Sequence, residues 1–277
     1  MRAWILSVIL LLLLAGCVHF DEKNNITSEN TNHNASSSLT NSSVSPESGW
    51  TLVSIRGRTF YQKKETEHFG GKYNAWLVTI CIKDVNSTRE YCQLGEIEYY
   101  TPDGKRYSGY ITERALPALK WIKENTDNSS VFLSWWDYGH MIRGYGERNA
   151  VLFDLSQELL PTVADPNITS FDNSSKTVNV ARVFVSNDTG LIVQTMKKYN
   201  ATHIFIARED VKKARAFFYI LNRTQEYSDF FNVAYNVMFT EKGKTLNLYK
   251  LLENKKVPDE LVLVYSDDFA VIYSLKT

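Results

Sequence analysis

The sequence has no surplus of charge, few cysteines and little that could cross a bilayer, and each shortage excludes something. Its 31 Lys and Arg balance 31 Asp and Glu. No basic cluster interrupts that mixture, which argues against a nucleic-acid partner. The three cysteines, Cys17, Cys81 and Cys92, leave no zinc cluster to build. Beyond the first 16 residues no apolar segment is long enough to span a membrane. No P-loop, Gly-x-Ser-x-Gly or His-Glu-x-x-His pattern occurs, so none of those chemistries has an anchor.

What is present at the start is an export signal. Met1-Arg-Ala is followed by an apolar run and then small residues, too short for a spanning helix and built like a secretory signal. Leu14-Ala-Gly-Cys17 resembles a lipobox. The expectation is a signal peptide over residues 1–16, with Cys17 as a lipid-modified residue that anchors an exported chain to the outer face of the cell membrane. Ten Asn-x-Ser/Thr sequons, at Asn25, Asn34, Asn41, Asn86, Asn128, Asn167, Asn173, Asn187, Asn200 and Asn222, are N-glycosylation candidates and suit the same compartment. Residues 17–49 are mostly Asn, Ser, Thr and charged side chains. Such a segment buries too little apolar surface to order itself, so it reads as a disordered stalk.

Residues 50–112 are β-rich. Ala75 to Lys83 and Glu90 to Leu94 are β-prone runs around a turn-like Asp84-Val-Asn-Ser-Thr88. A hairpin there brings Cys81 toward Cys92, an even pair in an oxidising compartment. From Glu113 the apolar period becomes helical through Leu116, Leu119 and Ile122, with Pro117 tolerable only in a first turn. Val131 to Ser134 and His203 to Ala207 read as buried strands, with helices over 190–199 and 209–221. Asp188 is placed to cap the first of these helices. The end reads as paired strands, Leu246 to Leu252 and Leu261 to Tyr265 with Phe269 to Leu275. The fold class is therefore α/β: a short mixed sheet flanked by helices, preceded by a β-rich segment and closed by a β-hairpin.

One run departs from these patterns: Trp135-Trp-Asp-Tyr-Gly139, straight after a strand. It resembles the signature of the oligosaccharyltransferase catalytic subunit, the family that transfers a lipid-linked glycan to the Asn of a sequon. Ala118-Leu-Lys-Trp-Ile122, Val131 to Ser134, Val183 to Tyr199, His203 to Ala207 and Val264 to Tyr273 are similar to the segments around that signature. Residues 113–277 thus resemble the family's soluble extracytoplasmic domain. Asp210-Val-Lys-Lys213 matches a second family motif, Asp-x-x-Lys, although Phe217 stands where the family places Met or Ile.

The resemblance implies that Trp135, Trp136, Asp137, Tyr138, Gly139 and Lys213 form a sequon-peptide site, in which the two tryptophans and the aspartate hold the hydroxyl of the Ser or Thr. The residue chemistry agrees, since a hydroxyl donates to a carboxylate and accepts from indole N–H groups. The family's catalytic half is a transmembrane bundle with an acidic Asp-x-Asp metal pair. This chain has no Asp-x-Asp and no such bundle. The expectation is a lipid-anchored protein that binds acceptor peptides without transferring glycan, with no catalytic residue, metal or cofactor of its own. Its partners would be the membrane, sequon peptides or a membrane-embedded transferase. Two alternatives remain: a cell-surface interaction lipoprotein that keeps only the fold, and a separate-chain subunit of an N-glycosylation transferase. His140, beside the motif, reads as a structural hydrogen bonder.

Overall fold

A computed structural model describes residues 49–55, 58–85, 88–153, 171–234 and 236–276. The signal, Cys17, the stalk up to residue 48 and the sequons at Asn25, Asn34, Asn41, Asn86 and Asn167 lie outside the described residues. The chain divides into two compact units: one runs to Thr66 and adds Thr79–Gln93, and the other comprises Glu67–Val78 and the chain from Leu94 onward.

The β-rich segment is a meander. Strands β1 (Thr51–Ile55), β2 (Arg58–Gly70), β3 (Ala75–Asp84), β4 (Glu90–Tyr100) and β5 (Arg106–Tyr110) follow one another across a sheet in sequence order. β1 pairs antiparallel with β2 from Thr51↔Gln62 to Ile55↔Arg58. β4 pairs antiparallel with β5 from Glu96↔Tyr110 to Tyr100↔Arg106. The Pro102-Asp-Gly104 turn between them closes through the Gly104 N–H, which donates to Thr101 O at 2.8 Å. Gly104 has φ +81°, a conformation that costs glycine little. In the first unit a disulfide joins Cys81 on β3 to Cys92 on β4, as the hairpin reading anticipates.

The second sheet is mixed, in the order β11-β12-β8-β6-β7. Its strands are β6 (Val131–Leu133), β7 (Asn149–Ala150), β8 (His203–Ala207), β11 (Leu261–Ser266) and β12 (Ala270–Leu275). β6 runs parallel to β7 and β8, while β12 is antiparallel to β8 and to β11. The turn of the β11–β12 hairpin is fixed by Asp267, whose Oδ1 accepts from the N–H groups of Phe269 at 2.8 Å and Ala270 at 2.7 Å. Two-residue strands β9 (Phe231–Asn232) and β10 (Met238–Phe239) form a separate antiparallel ladder.

The α-helices among the described residues are α1 (Leu116–Asn125), α2 (Trp136–Gly144), α3 (Lys176–Val185), α4 (Gly190–Lys198), α5 (Asp210–Ile220), α6 (Tyr227–Phe230) and α7 (Asn247–Leu252). Pro117 falls in the first turn of α1. Asp188 Oδ1 accepts from Gly190 N at 2.9 Å at the start of α4. No helix among the described residues is long and apolar enough to cross a membrane.

One expectation is corrected. Leu246 to Leu252, expected as a strand, is helical: Leu248, Leu251 and Leu252 bury a face at helical spacing. Asn247 secures its start by donating from Nδ2 to Val183 O at 3.0 Å and Asp188 O at 2.7 Å. A short apolar run does not declare its period, and here the tertiary bonds of one buried amide decide it. Helix α3, not anticipated, begins at Ser175, whose side chain accepts from Val178 N at 3.2 Å.

Replacing Cys81 and Cys92 together by serine should lower stability by about 3 kcal/mol on the chain-entropy account of a short closed loop, read by urea unfolding. Non-reducing peptide mapping should recover the two cysteines linked; two free thiols would show that the bond does not form.

Candidate functional site

The Trp-Trp-Asp-Tyr-Gly run is a corner that becomes a helix. β6 delivers Ser134 and Trp135 in extended backbone, Trp135 at φ −65° and ψ 149°, and α2 begins at Trp136. Ser134, Trp135, Trp136, Asp137, Tyr138 and Gly139 are all buried. Gly139 is there for space. A Cβ on it would stand 2.0 Å from Leu152 O and 2.5 Å from Phe153 Cα, so α2 rests directly on the backbone that follows β7.

The second motif meets the first. Lys213, on the first turns of α5, places Nζ 2.7 Å from Asp137 Oδ2 and 3.2 Å from Glu209 Oε1. The same Nζ donates to Tyr138 Oη at 2.8 Å. Tyr138 in turn donates to Asp210 Oδ1 at 2.8 Å, and Asp210 Oδ2 accepts from Ala207 N at 3.0 Å. Tyr138 is packed between Phe205 and Phe269, with ring centroids 5.2 and 6.2 Å away. All six expected site residues are therefore brought together, and two more join them, Asp210 and Glu209. The Asp-x-x-Lys spacing carried the signal for Asp210, because residues at i and i+3 share a helix face.

Phe217, the departure from the family pattern, lies one turn past Lys213. Its ring meets Trp135 edge-on at 4.6 Å and Phe184 of α3 at 5.3 Å. A larger side chain at this position thus forms an aromatic wall against the first indole. His140 pairs through Nδ1 with Tyr99 Oη at 3.0 Å, the structural hydrogen bond expected of it.

The electrostatics follow from burial. Burial raises the Asp137 carboxyl above its usual value, against the opposing pull of Lys213. Burial also drives the Tyr138 phenol well above its ordinary range, helped by Asp210 and Glu209. Asp210 is raised to about 7, again by burial first, with Lys213 and Tyr138 opposing. Burial acts to lower Lys213, but Asp137, Asp210 and Glu209 outweigh it and the ammonium is held charged. One ammonium thus serves several carboxylates, and one acceptor is left over. Asp137 Oδ1 and Ser134 Oγ are sealed from solvent with no hydrogen-bond partner. Among the described residues no group of His, Cys, Asp and Glu is arranged to hold a metal ion.

Asn128, Asn173, Asn187, Asn200 and Asn222 are all exposed. Two of them have a second role: Asn200 at φ 52° and Asn222 at φ 55° sit just past the ends of α4 and α5, where left-handed backbone favours Asn or Gly.

No protein-family model matches the chain. A stretch of 34 residues, 12% of the chain, is 47% identical to dolichyl-phosphooligosaccharide-protein glycotransferase 2 of Pyrococcus horikoshii, of which it spans 4%. Among solved structures the chain is similar to the C-terminal globular domain of an oligosaccharyltransferase from Archaeoglobus fulgidus, with 20% identity and a TM-score of 0.43 over 60% of this chain and 99% of that one. It is similar as well to an oligosaccharyltransferase of that organism in complex with an inhibitory peptide and a dolichol-phosphate (15% identity, TM-score 0.42, 58% of this chain and 24% of that one). A third is the enzyme tethered to an acceptor peptide containing the NVT sequon (14%, 0.43, 57% and 24%). The sequence match and the structural matches lead to archaeal oligosaccharyltransferases, and the chain spans only a small part of the full-length enzymes.

Two tests address the site's construction. Gly139→Ala should cost about 3 kcal/mol, because backbone rather than a flexible side chain stands in the way of the new methyl; an unchanged melting temperature would contradict the packing of α2 on Leu152. For Asp210, the folded value near 7 lies above the unfolded one of 3.8, so the fold holds this proton more tightly than the open chain does. Its contribution is complete below about pH 4 and is lost as pH rises through about 7. Stability measured across that range should therefore fall for wild type relative to Asp210→Asn, and the difference should level off above. A difference independent of pH would show that Asp210 is ionised throughout.

Proposed function

We propose that this chain carries an oligosaccharyltransferase-like acceptor site that binds Asn-x-Ser/Thr peptides without transferring glycan, on a protein held at the outer face of the cell membrane by lipid on Cys17. The observation that carries this reading is Asp137. Lys213 fixes one carboxylate oxygen at 2.7 Å, while the other has no partner. An unpaired buried acceptor is what a donated Ser or Thr hydroxyl would complete. The likeness to oligosaccharyltransferase domains supports the same assignment. No Asp-x-Asp pair is present to neutralise a pyrophosphate leaving group, which supports binding over transfer.

A second reading has an observation of its own. Trp135 is 2% exposed and Trp136 4%, as expected if the run only stabilises a corner. Peptide titration by calorimetry or NMR separates the two. In the binding reading, Asn-x-Thr peptides bind better than Asn-x-Ser, since one buried methyl contributes about 0.8 kcal/mol. Ala at that position costs about 1 to 3 kcal/mol, because the carboxylate stays unpaired. Asp137→Asn should flatten the Thr-over-Ala preference with the fold intact. Equal binding of Thr, Ser and Ala peptides by wild type decides for the corner.

A further inference from the structure

A second group of side chains on α2 lies outside the contacts that join Asp137 to Lys213. Arg143 lies about 120° round the helix from Asp137. Its guanidinium carbon is 3.7 Å from the ring centroid of Phe153, 5.0 Å from Tyr107 and 5.7 Å from Tyr99. His140, one turn earlier, completes the frame, with its ring 6.3 Å from Tyr107 and 6.0 Å from Phe153. The frame is built closely: a Cβ at Gly109 on β5 would stand 2.4 Å from His140 Cβ. Tyr99, Tyr107 and Gly109 all come from the β-rich segment, so this feature belongs to that segment together with α2.

The arrangement leaves a cation incompletely used. Arg143 makes no hydrogen bond or ion pair with a described residue, and Nη1 is sealed without a partner. A guanidinium offers five N–H donors in its own plane, whereas aromatic rings engage its faces. With Phe153 over the guanidinium at 3.7 Å and Nη1 sealed, the edge formed by Nε and Nη2 remains for recognition. That edge matches a forked oxyanion in bidentate geometry.

We propose that Arg143, framed by Tyr99, Tyr107, His140 and Phe153, is a binding site for a carboxylate carried on a flat or ring-shaped body. The guanidinium edge takes the carboxylate, and the half-buried rings of Tyr107 and Phe153 take the body. A single negative charge suits the site. Arg106 nearby is already paired with Glu98 at 2.8 Å. Lys105 lies over the Tyr107 ring at 4.9 Å and is exposed.

The test uses the full chain, labelled so that the Arg143 Nε–Hε signal is followed by NMR, and four probes: benzoate, acetate, benzyl alcohol and inorganic phosphate. Benzoate should shift the signal saturably and acetate more weakly, with benzyl alcohol, which has the body without the charge, leaving it in place. Arg143→Gln should weaken benzoate, followed through the Tyr107 ring signals, by roughly tenfold or more, as loss of a charge-assisted bond predicts. Arg143→Lys keeps the charge but not the fork, and should also weaken it; this second variant decides the matter if the first does not fold. Three results would overturn the proposal: no saturable benzoate shift, equal binding by either folded variant, or phosphate displacing benzoate at equal concentration. None of these readouts depends on whether sequon peptides bind.

Discussion

One half-buried ammonium organises the motif region. Lys213 reaches Asp137 and Tyr138 on α2 and Glu209 on its own helix. A lysine this enclosed is tolerated only because its anionic neighbours outweigh the desolvation that would strip its proton. The dependence runs both ways. Without Lys213, Asp137 would be a buried charge with no counter-ion, a condition that costs several kcal/mol per ion or drives protonation. The corner after β6 and the start of α5 are therefore bound to each other by charge as well as by packing.

The apolar surroundings explain why that charge cluster is stable rather than merely permitted. Phe205 and Phe269 hold the Tyr138 ring, and Phe217 sets its edge against Trp135. The low dielectric these rings create strengthens each hydrogen bond in the chain from Lys213 through Tyr138 to Asp210. It also makes the unpaired Asp137 Oδ1 and Ser134 Oγ costly to the fold. Native proteins keep few such atoms, and those they keep ask for an explanation. A hydroxyl-bearing ligand supplies one explanation for Oδ1.

How far the sequence reveals this depends on the range of the interaction. β-prone runs announced a β-rich segment with a hairpin, and Cys81 with Cys92 could be paired across it because hairpin partners are close in sequence. Phe269 to Leu275 was legible for the same reason. Leu246 to Leu252 was misread because its helicity is decided by what Asn247 bonds to, Val183 and Asp188, some sixty residues away. The same limit hid Arg143: nothing near it in sequence says that Tyr99 and Tyr107 will surround it. The motif residues were legible only by resemblance. Their juxtaposition with Asp210 and Glu209 is a product of sheet order, which sets β6 beside β8 and so sets α2, which follows β6, beside α5, which follows β8.

The same sheet order brings the two motifs to one end of the sheet. In a parallel pair both strands point the same way, so the elements leaving their C-terminal ends meet in one place, and this is where α/β sheets hold their ligands. Asp137 leaves the end of β6, while Glu209, Asp210 and Lys213 leave the end of β8. The short β7, parallel to β6, leads on to Leu152 and Phe153, against which Gly139 and Arg143 are packed. One helix thus presents two differently furnished faces: a carboxylate with a free oxygen toward α5, and a guanidinium with free donors among the rings of β4, β5 and Phe153. A hydroxyl donor suits the first and a carboxylate the second. The two chemistries are complementary rather than redundant, because an acceptor and a donor array select different groups.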